Sequence, residues 1–330
     1  MTMMLRPEDK RLIEAWQRDL PLVPHPFAEI GAALGLSEEE VLARLRHLAA
    51  MGAIARVGGT CRPNTIGAST LAAMEVPDLR VDEVAAIVGA EPGVNHSYLR
   101  ENALNLWFVG TGPDRVHLDA TLARIEKRTG LRVLDLPLVR AFNVDLGFPL
   151  EGERRMPPAS APADLSAIRP DDGAIIQAMT DGLALVARPF AALGDDLGRP
   201  EMEVISRLRA LTEARILTRL GIIVRHRAIG WRSNAMVVWD VPEAEIDRAG
   251  PALASYPGVT LCYQRRPAPG KWRYRLYSMI HARTRSEALD ILTGAADLPE
   301  LRDKDHEVLF SLRCFKQTGA LVHDRGTVAA

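Results

Sequence analysis

The chain has few cysteines, few aromatic residues and no long apolar run. Cys61, Cys262 and Cys314 are far apart and form no CxxC pair, which argues against a disulfide framework or a structural zinc site and predicts buried thiols. Residues 1–30 carry charges throughout, and no stretch approaches the roughly 20 apolar residues that span a membrane. We therefore expect a protein of the cytoplasm with no membrane partner.

An excess of positive charge is also missing. The formal net charge is −1 at pH 7, whereas proteins held to nucleic acid by phosphate contacts usually carry a basic surface. This balance weakens the case for DNA binding without excluding it. The 330 residues are 47% hydrophobic, which is enough to fill two ordinary cores of about 150 residues each.

The second half of the sequence repeats the first. Leu22, Val23, Pro26 and Phe27 recur in the same order as Leu185, Val186, Pro189 and Phe190, and ARLR at 43–46 recurs as SRLR at 206–209. Further along, Tyr98 and Arg100 match Tyr263 and Arg265. Such a duplication predicts an intramolecular pseudo-dimer, with two copies of one fold related by a pseudo-twofold axis. A further homodimer of whole chains stays open.

Each copy opens with apolar residues at helical spacing. In the first copy they form three groups: Leu12, Ile13 and Trp16; Phe27, Ile30 and Leu34; Val41, Leu42, Leu45 and Leu48. A turn at Gly35 precedes Ser37 and Glu40, which have the spacing of a capping box. Residues 54–58 then predict a short hairpin-like wing, which completes a winged helix-turn-helix.

The rest of each copy alternates strand-like and helix-like segments. In the first copy these segments are 71–76, 81–88, 94–99, 104–109, 116–127 and 131–139. The order β-α-β-β-α-β is that of a ferredoxin-like sandwich. The sequence therefore predicts an α+β protein with two tandem repeats, each a winged helix-turn-helix followed by a ferredoxin-like domain.

The composition also predicts where the repeats divide. Proline and small residues replace apolar periodicity over 156–165, which predicts a linker. The predicted boundaries are 1–68 and 69–155 for the helix-turn-helix and ferredoxin-like parts of the first repeat. In the second repeat, they are 166–231 and 232–330.

This architecture resembles the Lrp/AsnC transcriptional regulators, so binding of operator DNA is one hypothesis. Recognition helices usually present basic or amide side chains to the DNA groove. Here the matching helix opens with Glu38, Glu39 and Glu40 in the first copy, and with Glu201 and Glu203 in the second. Carboxylates at a helix start interact well with the helix dipole but poorly with phosphate. DNA binding is therefore not expected.

Cationic and aromatic side chains are concentrated in the second copy, although aromatic residues make up only 5% of the chain. They occur in RHR at 225–227, in CYQRRP at 262–267 and in KWRYRLY at 271–277. At alternating strand positions such residues can line one face. Arginine suits carboxylates and aromatic rings suit a flat apolar ligand. Composition alone leaves a polycarboxylate pocket, a basic surface strand and a nucleotide-stacking platform open.

Three longer strings resemble the siroheme decarboxylases, Lrp/AsnC-like enzymes of haem d1 and alternative haem biosynthesis. They are VNHSYLRENALNLWFVGTG at 94–112, LGIIVRHRAIGWRSNAMVVWDVP at 220–242 and CYQRRPAPGKWRYRLYSMIHA at 262–282. The likeness covers nearly the whole chain. Members of this family often consist of two related subunits, and the resemblance implies that a D-type subunit, the first half, and an L-type subunit, the second half, are fused here.

The resemblance implies a carboxy-lyase reaction. Siroheme loses the carboxyl groups of two acetate side chains and becomes 12,18-didecarboxysiroheme, with release of carbon dioxide. No added cofactor and no protein-bound metal are implied, because the iron arrives with the substrate. A tetrapyrrole-sensing or DNA-binding regulator of the Lrp/AsnC type is the alternative.

Within this family, a histidine that one copy has and the other lacks is a candidate for catalysis. His226 matches Pro63, and His96 matches Leu261, so we expect these two histidines to meet in one pocket. A histidine near neutrality can deliver the proton that decarboxylation needs, and either imidazole can contact the substrate iron.

Substrate-binding candidates follow from the same strings. Arg225, Arg265, Arg266 and Arg100 are predicted to bind the carboxylates of the macrocycle. Tyr98, Trp107, Trp272 and Tyr274 either pack on the ring or fill the sandwich core. His281 is a further candidate at the end of a strand.

Overall fold

The computed structural model describes residues 5–144, 147, 150 and 162–323. The α-helices of this part of the chain are α1 (Pro7–Trp16), α2 (Pro26–Leu34), α3 (Glu38–Ala50), α4 (Val81–Ala90), α5 (Arg115–Thr129), α6 (Asp172–Asp181), α7 (Pro189–Leu197), α8 (Glu201–Glu213), α9 (Ile246–Ala254) and α10 (Arg285–Ala296). The strands are β1 (Ile54–Cys61), β2 (Ala68–Met74), β3 (Val94–Arg100), β4 (Leu106–Gly112), β5 (Leu134–Val144), β6 (Leu217–Val224), β7 (Ser233–Trp239), β8 (Val259–Arg265), β9 (Leu276–Ala282) and β10 (His306–Gln317).

Each repeat begins with three helices, α1 to α3 in the first and α6 to α8 in the second. Gly35 and Gly198 end α2 and α7 in the left-handed region, with φ of 71° and 65°, where glycine is favoured because it has no Cβ. The predicted capping box is confirmed. The backbone amide of Ser37 donates to Glu40 at 2.7 Å, and the amide of Glu40 donates to the Ser37 hydroxyl at 3.2 Å.

The predicted hairpin-like wing is wrong in its pairing. Each repeat contributes a single strand, and β1 pairs antiparallel with β6 of the other repeat, with Gly58 opposite Gly221. A Cβ on Gly58 would lie 2.4 Å from the carbonyl oxygen of Met179, so α6 can pack directly on this strand. Because the two strands bind each other, the helical parts of both repeats share one hydrophobic core.

The remaining eight strands form a closed barrel in the order β10-β3-β4-β2-β5-β8-β9-β7. Within each repeat the strand order is that of a ferredoxin-like sheet. The last strand of each repeat also pairs with the other repeat, since β5 pairs with β8 and β10 pairs with β3. Each ferredoxin-like unit is therefore completed by its twin.

Side chains alternate between the two faces of the barrel wall. Outward-facing residues pack under helices in two separate cores, one for each repeat. Inward-facing residues from both repeats, including Trp107, Met236 and Tyr277, form a shared interior cluster. The interior of the barrel is thus an apolar region that both ferredoxin-like units build together.

Other expectations meet the structure only in part. Most of the predicted linker, 156–161, lies outside the described residues, as do 145, 146, 148, 149 and 151–155 of the first predicted domain. Cys262 is buried as expected, whereas Cys61 and Cys314 are only half-buried. Among the described helices, none has the length and apolar character needed to cross a membrane.

Candidate functional site

A cavity of about 260 Å³ lies between the barrel interior and the paired strands β1 and β6. Both repeats line it at matching positions. The matched pairs are Arg56 and Arg219, Leu71 and Met236, Tyr98 and Tyr263, Arg100 and Arg265, Trp107 and Tyr277, and Val109 and Met279. The cavity therefore lies on the pseudo-twofold axis and belongs to neither repeat alone.

Arg100 and Arg265 are held in the cavity wall by equivalent contacts. Each guanidinium lies 5.4 Å from the ring centre of the tyrosine two residues earlier, Tyr98 or Tyr263. Each also donates to a backbone carbonyl at 3.0 Å, that of Leu309 for Arg100 and that of Leu136 for Arg265. Burial lowers the pKa of both groups, to about 10 for Arg100, and both remain cations at neutral pH.

The charge of the cavity wall has one sign. Four arginines, Arg56, Arg100, Arg219 and Arg265, line it, and none of the described lining residues is Asp or Glu. The Nε atoms of Arg56, Arg100 and Arg265 are buried and have no hydrogen-bond partner within the described part of the chain. Buried donors of this kind are normally satisfied, so an anionic ligand with several oxygen atoms would complete the site.

His96 and His226 face this cavity from opposite repeats. Burial, together with a smaller contribution from the charge of Arg56, lowers the pKa of His96 to about 4. Burial also lowers the pKa of His226 to about 4, with smaller contributions from Arg227 and His96. Both imidazoles are therefore neutral at pH 7, and the two lie close enough for one to influence the other.

His281 belongs to a hydrogen-bond network that also includes Asn234 and Thr260. The Nε2 atom of His281 lies 2.7 Å from Asn234 Nδ2, and its Nδ1 atom lies 2.7 Å from the Thr260 hydroxyl. The ring of His226 packs edge-on against His281, with 4.8 Å between the ring centres. His226 therefore packs against a ring whose two nitrogen atoms both have hydrogen-bond partners.

The structure brings together seven of the predicted site residues. They are His226, His96, Arg265, Arg100, Tyr98, Trp107 and His281. Arg225 and Arg266 are exposed and do not line the cavity. The structure therefore does not bring them to the other predicted binding residues. Exposed arginines are common on protein surfaces, where water solvates them.

Trp272 and Tyr274 do not line this cavity, and both belong to the interior cluster of the barrel, which agrees with the core-filling alternative given for them above. Both are in the loop before β9, so the alternation of a strand does not apply to them. Trp272 donates to the Tyr277 hydroxyl at 2.8 Å, and Tyr274 donates to Glu307 at 2.6 Å. Because Tyr277 lines the arginine-lined cavity, Trp272 contacts a residue of the cavity wall without lining the cavity itself.

Trp272 and Tyr274 instead line a wider cleft of about 1160 Å³. This cleft is larger than the histidine-containing cavity, but its wall carries Glu75, Asp135 and Glu307 and contains no histidine among the described residues. Mixed charge suits a polycarboxylate poorly. We therefore assign the functional site to the smaller cavity.

Sequence analysis missed Arg56, Arg219 and Asn234, which all line the site. The two arginines occupy matching places in the repeat, and this match of charged residues could have identified them. Asn234 has no such signal, because its counterpart in the first repeat is Ser69. Among the described residues, no cluster of His, Cys, Asp or Glu could hold a metal ion.

Fold and site together define a tandem-repeat protein with two ferredoxin-like domains and one shared, arginine-lined cavity. The family model of the AsnC-like ligand binding domain matches residues 66–143 and 228–316. A model of the siroheme decarboxylase NirDL-like HTH domain matches residues 9–54 and 172–217. Both models match twice, once in each repeat.

Relatives that align with nearly the whole chain belong to the same family. The siroheme decarboxylase NirDL subunit of Paracoccus denitrificans is 62% identical over 314 residues, which cover 95% of this chain and 97% of the relative. A crystal structure of the siroheme decarboxylase NirDL superposes with a TM-score of 0.68 at 28% identity, over 96% of this chain and 94% of the other. The chain belongs to the siroheme decarboxylase family.

A second crystal structure shows the siroheme decarboxylase NirDL together with an iron-uroporphyrin III analogue. Its TM-score is 0.66 at 28% identity, over 96% of this chain and 93% of that one. That relative thus binds an iron tetrapyrrole on the same fold.

Proposed function

We propose that this chain removes the carboxyl groups of two acetate side chains of siroheme, giving 12,18-didecarboxysiroheme and carbon dioxide. The observation that carries the proposal is the cavity on the pseudo-twofold axis, with four arginines, one histidine from the first repeat, two from the second and no acidic residue among its described lining. A polycarboxylate macrocycle matches this charge, and the related enzyme that holds an iron-uroporphyrin III analogue supports the choice of tetrapyrrole.

The arginines bind and orient the substrate. Arg100 and Arg265 project from opposite repeats, and each has a buried Nε–H without a partner in the described part of the chain. A carboxylate can accept from such a donor in a charge-assisted hydrogen bond. Two equivalent anchors on either side of one cavity suit a flat ligand with carboxylate arms around its edge.

The histidines supply the proton. When the C–C bond to the carboxyl group breaks, carbon dioxide leaves and the electron pair passes into the conjugated pyrrole; a proton must then reach the remaining carbon to form a methyl group. His96 and His226 are neutral in the free protein. Substrate carboxylates add negative charge beside them, which raises an imidazole pKa and favours the protonated donor.

The cavity must widen when the macrocycle binds. At about 260 Å³ it lies just below the range of about 300–1,000 Å³ that is usual for ligand sites. Met236 and Met279 line it, and methionine changes rotamer at little cost because its side chain is unbranched. We expect these side chains and the β1–β6 pair to move apart around the ring.

Contacts within the helical domains weigh against DNA binding. On the recognition-type helices, Arg44 pairs with Asp9 at 2.9 Å and the buried Arg207 pairs with Asp172 at 2.5 Å. Arg46 and Arg209 donate across the pseudo-twofold axis, to the carbonyl oxygens of Leu185 and Leu22. These four arginines bind protein groups, which reduces the positive charge available for phosphate.

The proposal requires no added cofactor, and the only iron in the reaction is that of the substrate. His96 or His226 can also serve as an axial contact to this iron, since imidazole is a common axial ligand.

The deciding experiment is anaerobic incubation of the purified chain with siroheme alone, followed by mass spectrometry of the tetrapyrrole. The expected result is the loss of two carboxyl groups as carbon dioxide. A spectral change on mixing together with an unchanged mass would overturn the proposal in favour of a tetrapyrrole-binding regulator.

A further inference from the structure

The two anchoring arginines, Arg100 and Arg265, differ in a contact that Arg100 makes with Asn234. Arg100 Nη1 donates to Asn234 Oδ1 at 3.2 Å in addition to its bond to Leu309. Arg265 has the equivalent backbone bond to Leu136. The residue that matches Asn234 in the first repeat is Ser69, which pairs with Thr111 across the β2–β4 ladder as Asn234 pairs with His281 across β7–β9.

The contacts of Asn234 fix which way its amide points. Arginine has only donors, so the atom that faces Arg100 must be the amide oxygen. The Ser311 hydroxyl, 3.1 Å from the same oxygen, is a second donor to it. The Asn234 nitrogen therefore points to His281 Nε2, at 2.7 Å, and can only donate to it.

This orientation determines the charge of His281. Because Nε2 accepts a hydrogen bond from Asn234, it carries no proton. The proton of the neutral ring is on Nδ1, which donates to the Thr260 hydroxyl, and that hydroxyl donates to the Met279 carbonyl at 2.9 Å. A second proton on Nε2 would face the N–H of Asn234, so the network holds His281 neutral.

We propose that Asn234 is a positioning residue which fixes Arg100 and keeps His281 neutral, so that the proton used in decarboxylation resides on His226. The ring of His226 packs edge-on against His281, 4.8 Å away. A cationic His281 would oppose protonation of His226, since like charges at this distance repel. Arg227 already places positive charge near His226.

The inference rests on the proposed function, but its first test does not use siroheme. In protein labelled with ¹⁵N-histidine, NMR of the free wild-type chain is expected to show His281 as the Nδ1–H tautomer between pH 5 and 8. In Asn234→Asp, the new carboxylate accepts from both Arg100 and His281, so His281 should carry protons on both nitrogens at pH 7. A wild-type His281 that titrates in this range would overturn the proposal.

Turnover is the second test. We expect Asn234→Asp to lower kcat about tenfold or more with a smaller change in KM, because binding of the carboxylates persists while proton delivery is impaired. Asn234→Ser, which installs the residue of the first repeat, should also raise KM because Arg100 loses a partner. Ser311→Ala is the matched control, since it removes the other donor to Oδ1 and should leave the His281 tautomer unchanged.

The two tests separate the inference from the proposed function. Failure of the wild-type chain to decarboxylate siroheme would contradict the function but leave the NMR result on His281 intact. An Asn234→Asp variant with a cationic His281 and normal kcat would contradict the positioning role alone. If Asn234→Ser does not fold, Asn234→Asp decides, because an aspartate side chain has nearly the same shape as the asparagine that it replaces.

Discussion

The two repeats share their binding groups and differ in their acid–base groups. Arg100 with Tyr98 and Arg265 with Tyr263 have the same geometry to within a tenth of an ångström. In contrast, His96 comes only from the first repeat, and Asn234, His281 and His226 come only from the second. The matched arginines and tyrosines thus suit a ligand whose opposite edges bind to the two repeats. Proton transfer, in contrast, depends on side chains that have no counterpart in the other repeat.

The largest effect is expected when the unmatched histidines are removed. His96→Leu installs the residue found at the matching place, Leu261, and His226→Gln removes the other imidazole. Each is expected to lower kcat about 100-fold or more, because positioned general acids contribute about 10²–10⁴-fold. Mass spectrometry of the tetrapyrrole over time measures the rate.

His47→Gln is the control for these two variants, because His47 is exposed on α3, outside the cavity. It should retain the wild-type rate. Normal turnover in both His96→Leu and His226→Gln would remove the histidines from the mechanism.

Substitution of the matched arginines Arg56 and Arg219 is expected to affect different properties, substrate binding for Arg56 and folding stability for Arg219. Arg219 donates to the backbone and side chain of Gln17, at 2.9 and 3.3 Å, whereas Arg56 has a buried Nε without a partner in the described residues. Arg56→Gln is expected to raise KM about tenfold with little change in folding, since one charge-assisted bond to substrate contributes about 1.5 kcal/mol or more.

Arg219→Gln should instead lower the free energy of unfolding by about 1–3 kcal/mol, because Gln17 loses its partner. Urea unfolding and siroheme titration of both variants test the pair together. The reverse pattern, a destabilised Arg56→Gln with normal KM, would contradict the assignment of Arg56 to substrate binding.

Lowering the pH is expected to reduce the free energy of unfolding, because His96 and His226 are buried as neutral imidazoles. The pKa of each is about 4 in the folded protein and about 6.5 in an unfolded chain. Between these values the unfolded chain binds more protons, so stability is complete above about pH 6.5 and falls as the pH is lowered. At pH 5 the loss is about 2 kcal/mol for each histidine.

His96→Gln should therefore show a smaller loss of stability than the wild type between pH 7 and pH 5, measured by urea unfolding at both values. An equal loss in the two proteins would indicate that His96 is protonated in the folded chain at pH 5.

The smallest effects are expected at Arg225 and Arg266, which are exposed and lie outside the cavity. Alanine at either position should change KM less than twofold and stability by no more than about 0.5 kcal/mol. A tenfold increase in KM for either variant would restore it as a ligand-binding residue at the cavity entrance.

Repetition in the sequence made much of this fold predictable. The order of helices and strands and the equivalence of Arg100 with Arg265 follow from patterns that recur in both copies. The capping box of Ser37 follows from local spacing in the first copy alone, since Pro200 takes the matching place in the second. The identification of His96 and His226 as partners in one cavity came from comparing the copies with each other, position by position.

The remaining features depend on contacts between residues far apart in sequence. The pairing of β1 with β6 places Arg56 over the barrel, and no local pattern in either strand specifies that partner. Trp272 and Tyr274 lie in a loop, where the alternation of a strand does not hold, and they fill the core without lining the cavity. Asn234 acquires its role from Arg100 on another strand and from the orientation of one amide group, which sequence does not encode locally.

The exchange of final strands has a consequence for how the chain folds during synthesis. Among the described strands, β10 covers the edge of β3 that does not pair with β4, with Arg100 opposite Ser311. A ribosome must therefore finish almost the entire chain before the first ferredoxin-like sheet has both of its neighbours. Until then β3 presents an open edge, which is a risk for aggregation, and barrel closure becomes a late, long-range step in folding.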